Sequence, residues 1–248
     1  KNALHRAKRE KTVSPFIKNW IGRTDWDRMA SQMLSPGSNY YHCDEIMRND
    51  FSNSMWSYHY NGTLLRIHSS ISNELYKGID VIIQTAELLS LLGVKIEWNV
   101  FGVNPGSPLL KYWLRYLKQS PNKLGIIPKG HADGKTIRDG LLSCDVFVHP
   151  SYIENSSNAI AEAMMLGVPT IAQYVGGNPT MLRDNSGILV PSSAPYDMAY
   201  AIMQMRDKQT AEGYSQRARE VSKKRQDNVR IIDSLIDIYA KIIKEDNY

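Results

Sequence analysis

Cysteine is nearly missing from this chain. Cys43 and Cys144 are its only two. They are far apart and without metal-ligand spacing, so no disulfide framework is encoded, and the usage suits a reducing cytoplasm. His42, His68, His131 and His149 stand at no ligand spacing with them, which argues against a zinc site. No apolar run approaches the ~20 residues of a membrane span, and no signal peptide opens the chain. No Gly-x-Gly-x-x-Gly follows the first regular strand, which argues against a dinucleotide dehydrogenase. Internal repeats and low-complexity tracts are also lacking. Without secretion, the sequons Asn61-Gly62-Thr63 and Asn155-Ser156-Ser157 are chance matches.

What is present is an ordinary globular composition. The 248 residues are 42% hydrophobic and 22% charged, enough for one large domain, or one domain and part of another. The net charge of +5 is concentrated at the start, where seven basic residues from Lys1 to Arg23 face only Glu10 and Asp25. Such an end suits anionic lipid, an acidic acceptor or nucleic acid, and equally a solvated helix face. Residues 1–60 show no clean alternation of strand and helix. After a basic, helical start, SNYYHC reads as a short strand and DEIMRNDF as a short helix, with dense aromatics such as Trp20, Trp26 and Trp56. The region reads as the end of an N-terminal domain with a linker. A chain that opens at Lys1 without methionine reads as a piece of something longer.

From Thr63 the rhythm becomes regular. LLRIHSS, VKIEWNVFG, KLGIIPKG, DVFVHP, PTIAQ and GILV read as strands. Between them YKGIDVIIQTAELLSLLG, PLLKYWLRYLKQ and GKTIRDGLLSC read as helices. The pattern predicts an α/β fold, a Rossmann-like parallel sheet with helices on both faces, over residues 61–225. Ligands of such sheets lie at the carboxyl ends of the strands. Residues 226–248 form a last helix, whose stripe of Val229, Ile232, Leu235, Ile236, Tyr239 and Ile242 is expected to face a core.

The stretch HPSYIENSSNAIAEAMMLGVP carries the chemistry. A strand ends at His149, a polar turn follows, and a helix runs from about Ser157 to Leu166, stopped by Gly167 and Pro169. Asn155, Ser156 and Ser157 are N-cap residue types. The helix therefore opens with unbonded N–H groups and a partial positive charge, which suits phosphate. Glu154 precedes this end and Glu162 lies about two turns inside it. Asp25-Trp26-Asp27 matches an Asp-x-Asp metal signature, but it opens a helix, where acidic residues serve the helix dipole.

On Glu154 and Glu162 within PSYIENSSNAIAEAMMLGVPTIA, and on Gly176-Gly177 in QYVGG, the chain resembles the nucleotide-sugar-binding domain of glycosyltransferase family 4. These are retaining enzymes, and the domain is the C-terminal half of their GT-B fold. The resemblance implies that Glu154 faces the donor sugar and that Lys77, in SSISNELYKGID, binds the diphosphate, these two being catalytic. It implies that Glu162 takes the ribose hydroxyls and that Ser157, Asn158 and Ala159 bring backbone N–H groups to the diphosphate. Lys129 and Gly130 would lie near the base. The family's arginine upstream of that lysine is replaced here by Ile71, and Thr180 stands where a glutamate is common.

No cofactor or metal is implied, only a nucleoside-diphosphate sugar as donor. The implied partners are an N-terminal domain missing from this chain and an acidic lipid or glycan acceptor, with no nucleic acid and no transmembrane segment. The location is cytoplasmic, peripheral at the inner membrane face, and polysaccharide biosynthesis is a common setting. The chain alone would bind donor without transferring sugar. A non-catalytic nucleotide-sugar-binding module and another GT-B activity such as epimerisation stay open.

Overall fold

The structure is a computed structural model that describes residues 2–246, with side chains described from 8 to 244. Lys1 and the Arg6 side chain, both counted in the basic start, lie outside the described residues. In chain order, α1 (Asn2–Val13), β1 (Asn19–Gly22), α2 (Asp25–Leu34) and β2 (Asn39–His42) come first. Asp27 caps α2. The Asp27 carboxylate accepts from the N–H groups of Arg23 and Thr24, and Thr24 Oγ1 accepts from Asp27 N–H. Asp25-Trp26-Asp27 is thus a helix opening in the structure as well.

The helix expected over DEIMRNDF is not formed. The segment is extended as far as a 3-10 turn at Asn49–Phe51, with Arg48 at φ −62 and ψ 135. Met47 is largely buried and Phe51 fully so, with the Arg48 guanidinium 5.1 Å over the Phe51 ring. Burying a phenylalanine is worth roughly 2–3 kcal/mol. A helix this short has no comparable stability of its own.

The larger element set follows: β3 (Leu65–Ser70), α3 (Ile79–Leu91), β4 (Ile96–Phe101), α4 (Pro108–Tyr116), α5 (Pro121–Leu124), β5 (Ile126–Gly130) and α6 (Gly134–Leu142). Then come β6 (Val146–His149), α7 (Asn158–Leu166), β7 (Thr170–Gln173), α8 (Asn178–Met181), β8 (Ile188–Val190), α9 (Pro195–Gln204), α10 (Lys208–Arg225) and α11 (Asn228–Asp246). Strands β3 to β8 form one parallel sheet in the order β5-β4-β3-β6-β7-β8. The chain therefore winds outward from β3 in one direction and from β6 in the other. Right-handed crossovers then place α3 and α4 on one face and α6 and α7 on the other. The packing agrees, with α3 against α4 and α9, and α6 against α7.

The apolar runs explain the layering. All four residues of β6 and of β7 are buried, as strands covered on both faces require. Trp98, Phe147, Leu65 and Ile67 are fully buried, and Trp98 Nε1 donates to Ser69 Oγ, which donates in turn to the Val148 carbonyl. Among the described residues no helix is long and apolar enough to cross a membrane.

The chain divides into two compact units, residues 48–223 and, separately, the residues up to Met47 with those from Lys224 on. Within the smaller unit α11 packs on β2, where Cys43, Ile231 and Ile238 form a cluster joined by Tyr41, Leu235 and Ile242. This corrects the expected stripe. Leu235 and Ile242 turn inward, whereas Val229, Ile232, Ile236 and Tyr239 are exposed. Apolar residues occur on more than one side of this helix, so periodicity alone could not choose the buried side. The correction is testable by urea unfolding. Ile238→Ala should destabilise by about 2–4 kcal/mol, and Ile236→Ala by no more than ~0.5 kcal/mol. A larger cost at Ile236 than at Ile238 would restore the original stripe.

Candidate functional site

The strand order reverses between β3 and β6, and this is where an open α/β sheet leaves a crevice at its carboxyl edge. The loop after β3 carries Lys77 and the loop after β6 carries Glu154. Backbone and side chain tie the loops together. Tyr152 N–H donates to the Tyr76 carbonyl at 2.9 Å, and Tyr152 Oη donates to Asp80 Oδ2 at 2.5 Å. Gly78, at φ +77, lies so close to Pro150 that a Cβ would sit 2.0 Å from its carbonyl oxygen. Only glycine permits that approach, and it brings the lysine preceding it onto the second loop.

The result is a three-residue ionic group. Lys77 Nζ lies 2.7 Å from Glu154 Oε2, and His149 Nε2 lies 3.0 Å from the same oxygen. His149, the last residue of β6, is almost wholly buried. Burial lowers its pKa against the pull of Glu154, so it stays neutral and donates from Nε2. Burial would raise Glu154, but the hydrogen bonds from His149 and Lys77 outweigh it and hold the carboxyl at about 2.

The Glu154 main chain is pinned as well. Its carbonyl accepts from Gly177 N–H at 3.1 Å, and a Cβ on Gly176, at φ +50, would come within 1.7 Å of that oxygen. The paired glycines therefore work through close backbone contact with Glu154.

Ser157 caps α7, its side chain accepting from Ile160 N–H, and Gly167 ends the helix at φ 79. Of the three candidate cap residues, Ser157 fills the position. The first main-chain bond into the helix is donated by Ala161 to the Ser157 carbonyl. The N–H groups of Asn158 and Ala159 thus belong to the unbonded first turn.

Glu162 is buried on α7, and its Oε1 pairs with Arg48 Nη2. Burial raises its pKa and Arg48 opposes the rise. Gly134, which opens α6, adjoins the same guanidinium. Lys129 and Gly130 end β5, the edge strand on the far side of β4, and no described contact joins them to Lys77 or Glu154. Lys129 is exposed, while Gly130 N–H donates to Val103 and its carbonyl accepts from Gly102 N–H.

Two residues here escaped sequence reasoning. His149 could have been found, because it ends the strand directly before the Glu154 turn. Arg48 could not, since it lies in an extended segment without periodicity, and Glu162, which it pairs with, is over a hundred positions away. Among the described residues no cluster of three or more His, Cys, Asp or Glu could hold a metal ion. A cavity of about 400 Å³ in the larger unit is lined by Trp56, Tyr58 and Arg219 among others, and none of the residues above borders it.

A depressed carboxylate links stability to pH. Glu154 stabilises the fold fully above its unfolded pKa of about 4.3, and that contribution is lost as pH falls toward its folded value near 2. The difference is on the order of 3 kcal/mol. His149 acts in the same direction at higher pH, since the unfolded state takes up its proton near 6.5 and the folded state resists. Glu154→Gln should therefore lower stability at neutral pH and flatten the loss between roughly pH 5 and 2 in urea titrations. An unchanged acid slope would refute the ionic group.

Comparison with known proteins matches this architecture. The family described as Glycosyl transferases group 1 covers residues 65–208. TuaC of Bacillus subtilis, named for teichuronic acid biosynthesis, is 33% identical over 85 residues, 34% of this chain and 22% of its own length. A D-inositol 3-phosphate glycosyltransferase of Thermobifida fusca is 30% identical over 138 residues, 52% of this chain and 31% of its own. Among solved structures, Staphylococcus aureus TarM, crystallised with fondaparinux, α-GlcNAc-glycerol and UDP, superposes with a TM-score of 0.76 at 17% identity. That alignment covers 92% of this chain and 45% of TarM. The chain thus spans less than half the length of each of these relatives, and its fold is that of the C-terminal half of a GT-B glycosyltransferase. With the matched family covering more than half of its residues, the chain belongs to the glycosyl transferases group 1 family.

Proposed function

We propose that this chain is the donor-binding part of a retaining glycosyltransferase that moves a sugar from a nucleoside diphosphate to an acceptor hydroxyl. One observation carries the reading. Two buried or half-buried carboxylates lie one before and one within α7, next to the sheet's switch point, and each is matched by a cation, Lys77 for Glu154 and Arg48 for Glu162.

In this reading the diphosphate lies against the N–H groups of Asn158 and Ala159, with Ser157 fixing the helix end. The Lys77 ammonium keeps one donor on Glu154 and turns others to the phosphates. As the bond to the sugar breaks, negative charge grows on the leaving diphosphate, and these prearranged donors stabilise it without a metal. Glu162 accepts from the ribose hydroxyls and Glu154 from the donor sugar. Lys129 and Gly130 border the base. The acceptor belongs to a partner domain outside this chain and is a glycan or an acidic lipid, consistent with the naming of TuaC. The setting is the cytoplasmic face of a membrane.

Ile71, standing where the family's upstream arginine is expected, favours the rival reading of a module that binds nucleotide sugar and does not turn it over. Arg48 weighs against it, because it supplies a guanidinium beside Glu162 from another part of the chain.

Calorimetric titration with uridine, guanosine and adenosine diphosphates tests the proposal. One of the three should bind, and Glu162→Ala and Lys77→Ala should each weaken it about tenfold or more, as expected when a charge-assisted hydrogen bond is lost. Heat from none of them, or affinity unmoved by both substitutions, would remove the donor site. Retention is checked separately, by the anomeric configuration of the product made by the full-length protein.

A further inference from the structure

Residues 98–132 contain no aspartate or glutamate and five lysines and arginines: Lys111, Arg115, Lys118, Lys123 and Lys129. Solvated helices normally mix both signs, as α10 does with its Lys208–Glu212 pair. α4 does not. Its inner face holds buried Leu110 and half-buried Trp113 and Leu114, while Lys111, Tyr112, Arg115 and Tyr116 are all exposed. Tyr112 and Tyr116 stack with centroids 6.1 Å apart and planes 10° from parallel, and the Trp113 ring meets both edge-on. The neighbouring end of α3, which packs on α4 and α5, exposes Leu91 and Leu92. Glu87, on α3, accepts a hydrogen bond from Gln119 in the segment after α4.

We propose that the outer face of α4 docks on the surface of an anionic lipid bilayer. The chemistry fits on each count. Phenol rings sit well at the level of lipid headgroups, being apolar along the ring and polar at the tip. Lysine and arginine lay their stems along such rings and hold the charge toward phosphate. Exposed leucines add shallow apolar contact, and an acid-free field meets no repulsion from acidic headgroups. The proposal is independent of the nucleotide reading, since none of these residues borders Glu154 or Glu162. It differs from docking by the basic start of the chain, which presents Lys8, Arg9 and Lys11 on α1.

The test is co-sedimentation of the full chain with vesicles of phosphatidylcholine alone and of phosphatidylcholine mixed with phosphatidylglycerol. Binding is expected only to the mixed vesicles. Lys111→Gln with Arg115→Gln should weaken it about thirtyfold, as the loss of two surface cations implies. Tyr112→Ser with Tyr116→Ser should weaken it less, yet remove the quenching of Trp113 fluorescence by brominated lipid. Lys8→Gln with Lys11→Gln should leave binding within about twofold. All of these positions are exposed, and an unchanged circular dichroism spectrum confirms the fold of each variant. The proposal is overturned by no binding to mixed vesicles, by loss with the α1 variant and not the α4 variants, or by α4-dependent binding to a soluble acidic polysaccharide instead of vesicles.

Discussion

The candidate site depends on two loops held in contact at one point of the sheet. The Tyr152–Tyr76 main-chain bond and the Gly78–Pro150 approach bring the chain after β3 against the chain after β6. Only then can Lys77 reach Glu154. An ion pair between half-buried groups costs desolvation on both sides, and it persists only where the geometry is fixed beforehand. The backbone contacts supply that geometry, so the pair is a consequence of the loop docking and not its cause.

The sheet explains why the docking occurs there. Because β3 and β6 start windings of opposite direction, their outgoing loops diverge toward opposite faces and meet only at the carboxyl edge. α7 follows the β6 loop, with Glu154 paired to Lys77 before its amide end and Glu162 paired to Arg48 within it. The Gly176-Gly177 turn closes from β7 and holds the Glu154 carbonyl. The loops after β3, β6 and β7 therefore meet at this edge of the sheet, with α7 following the second of them.

Much of this was legible in residue order. Alternation of apolar strands and amphipathic helices identified β3 to β8, and Ser157 and Gly167 marked the ends of α7. Glu154, Lys77 and Glu162 were singled out through the resemblance of their local motifs to a known family, and the structure pairs Lys77 with Glu154. What escaped was decided by long-range packing. Arg48 is a guanidinium in an extended segment whose partner lies over a hundred positions away. The segment from Asp44 to Phe51 looked helical because its local pattern allows a helix, whereas burial of Met47 and Phe51 keeps it extended. On α11 the choice of buried side rested on β2, which the pattern of α11 could not show.

Arg48 resting on Glu162 has a consequence for selectivity. The Glu162 carboxylate carries a guanidinium partner, so a hydroxyl bound there would compete with that cation and not with water alone. If Glu162 receives the vicinal diol, a 2′-deoxynucleotide offers one hydroxyl in exchange for a bond that two were meant to replace. Sites built around a hydroxyl reject analogues lacking it far more sharply than apolar pockets reject a missing methylene. Discrimination between ribo- and deoxyribonucleotides would then be set in the resting pocket, before any sugar is moved.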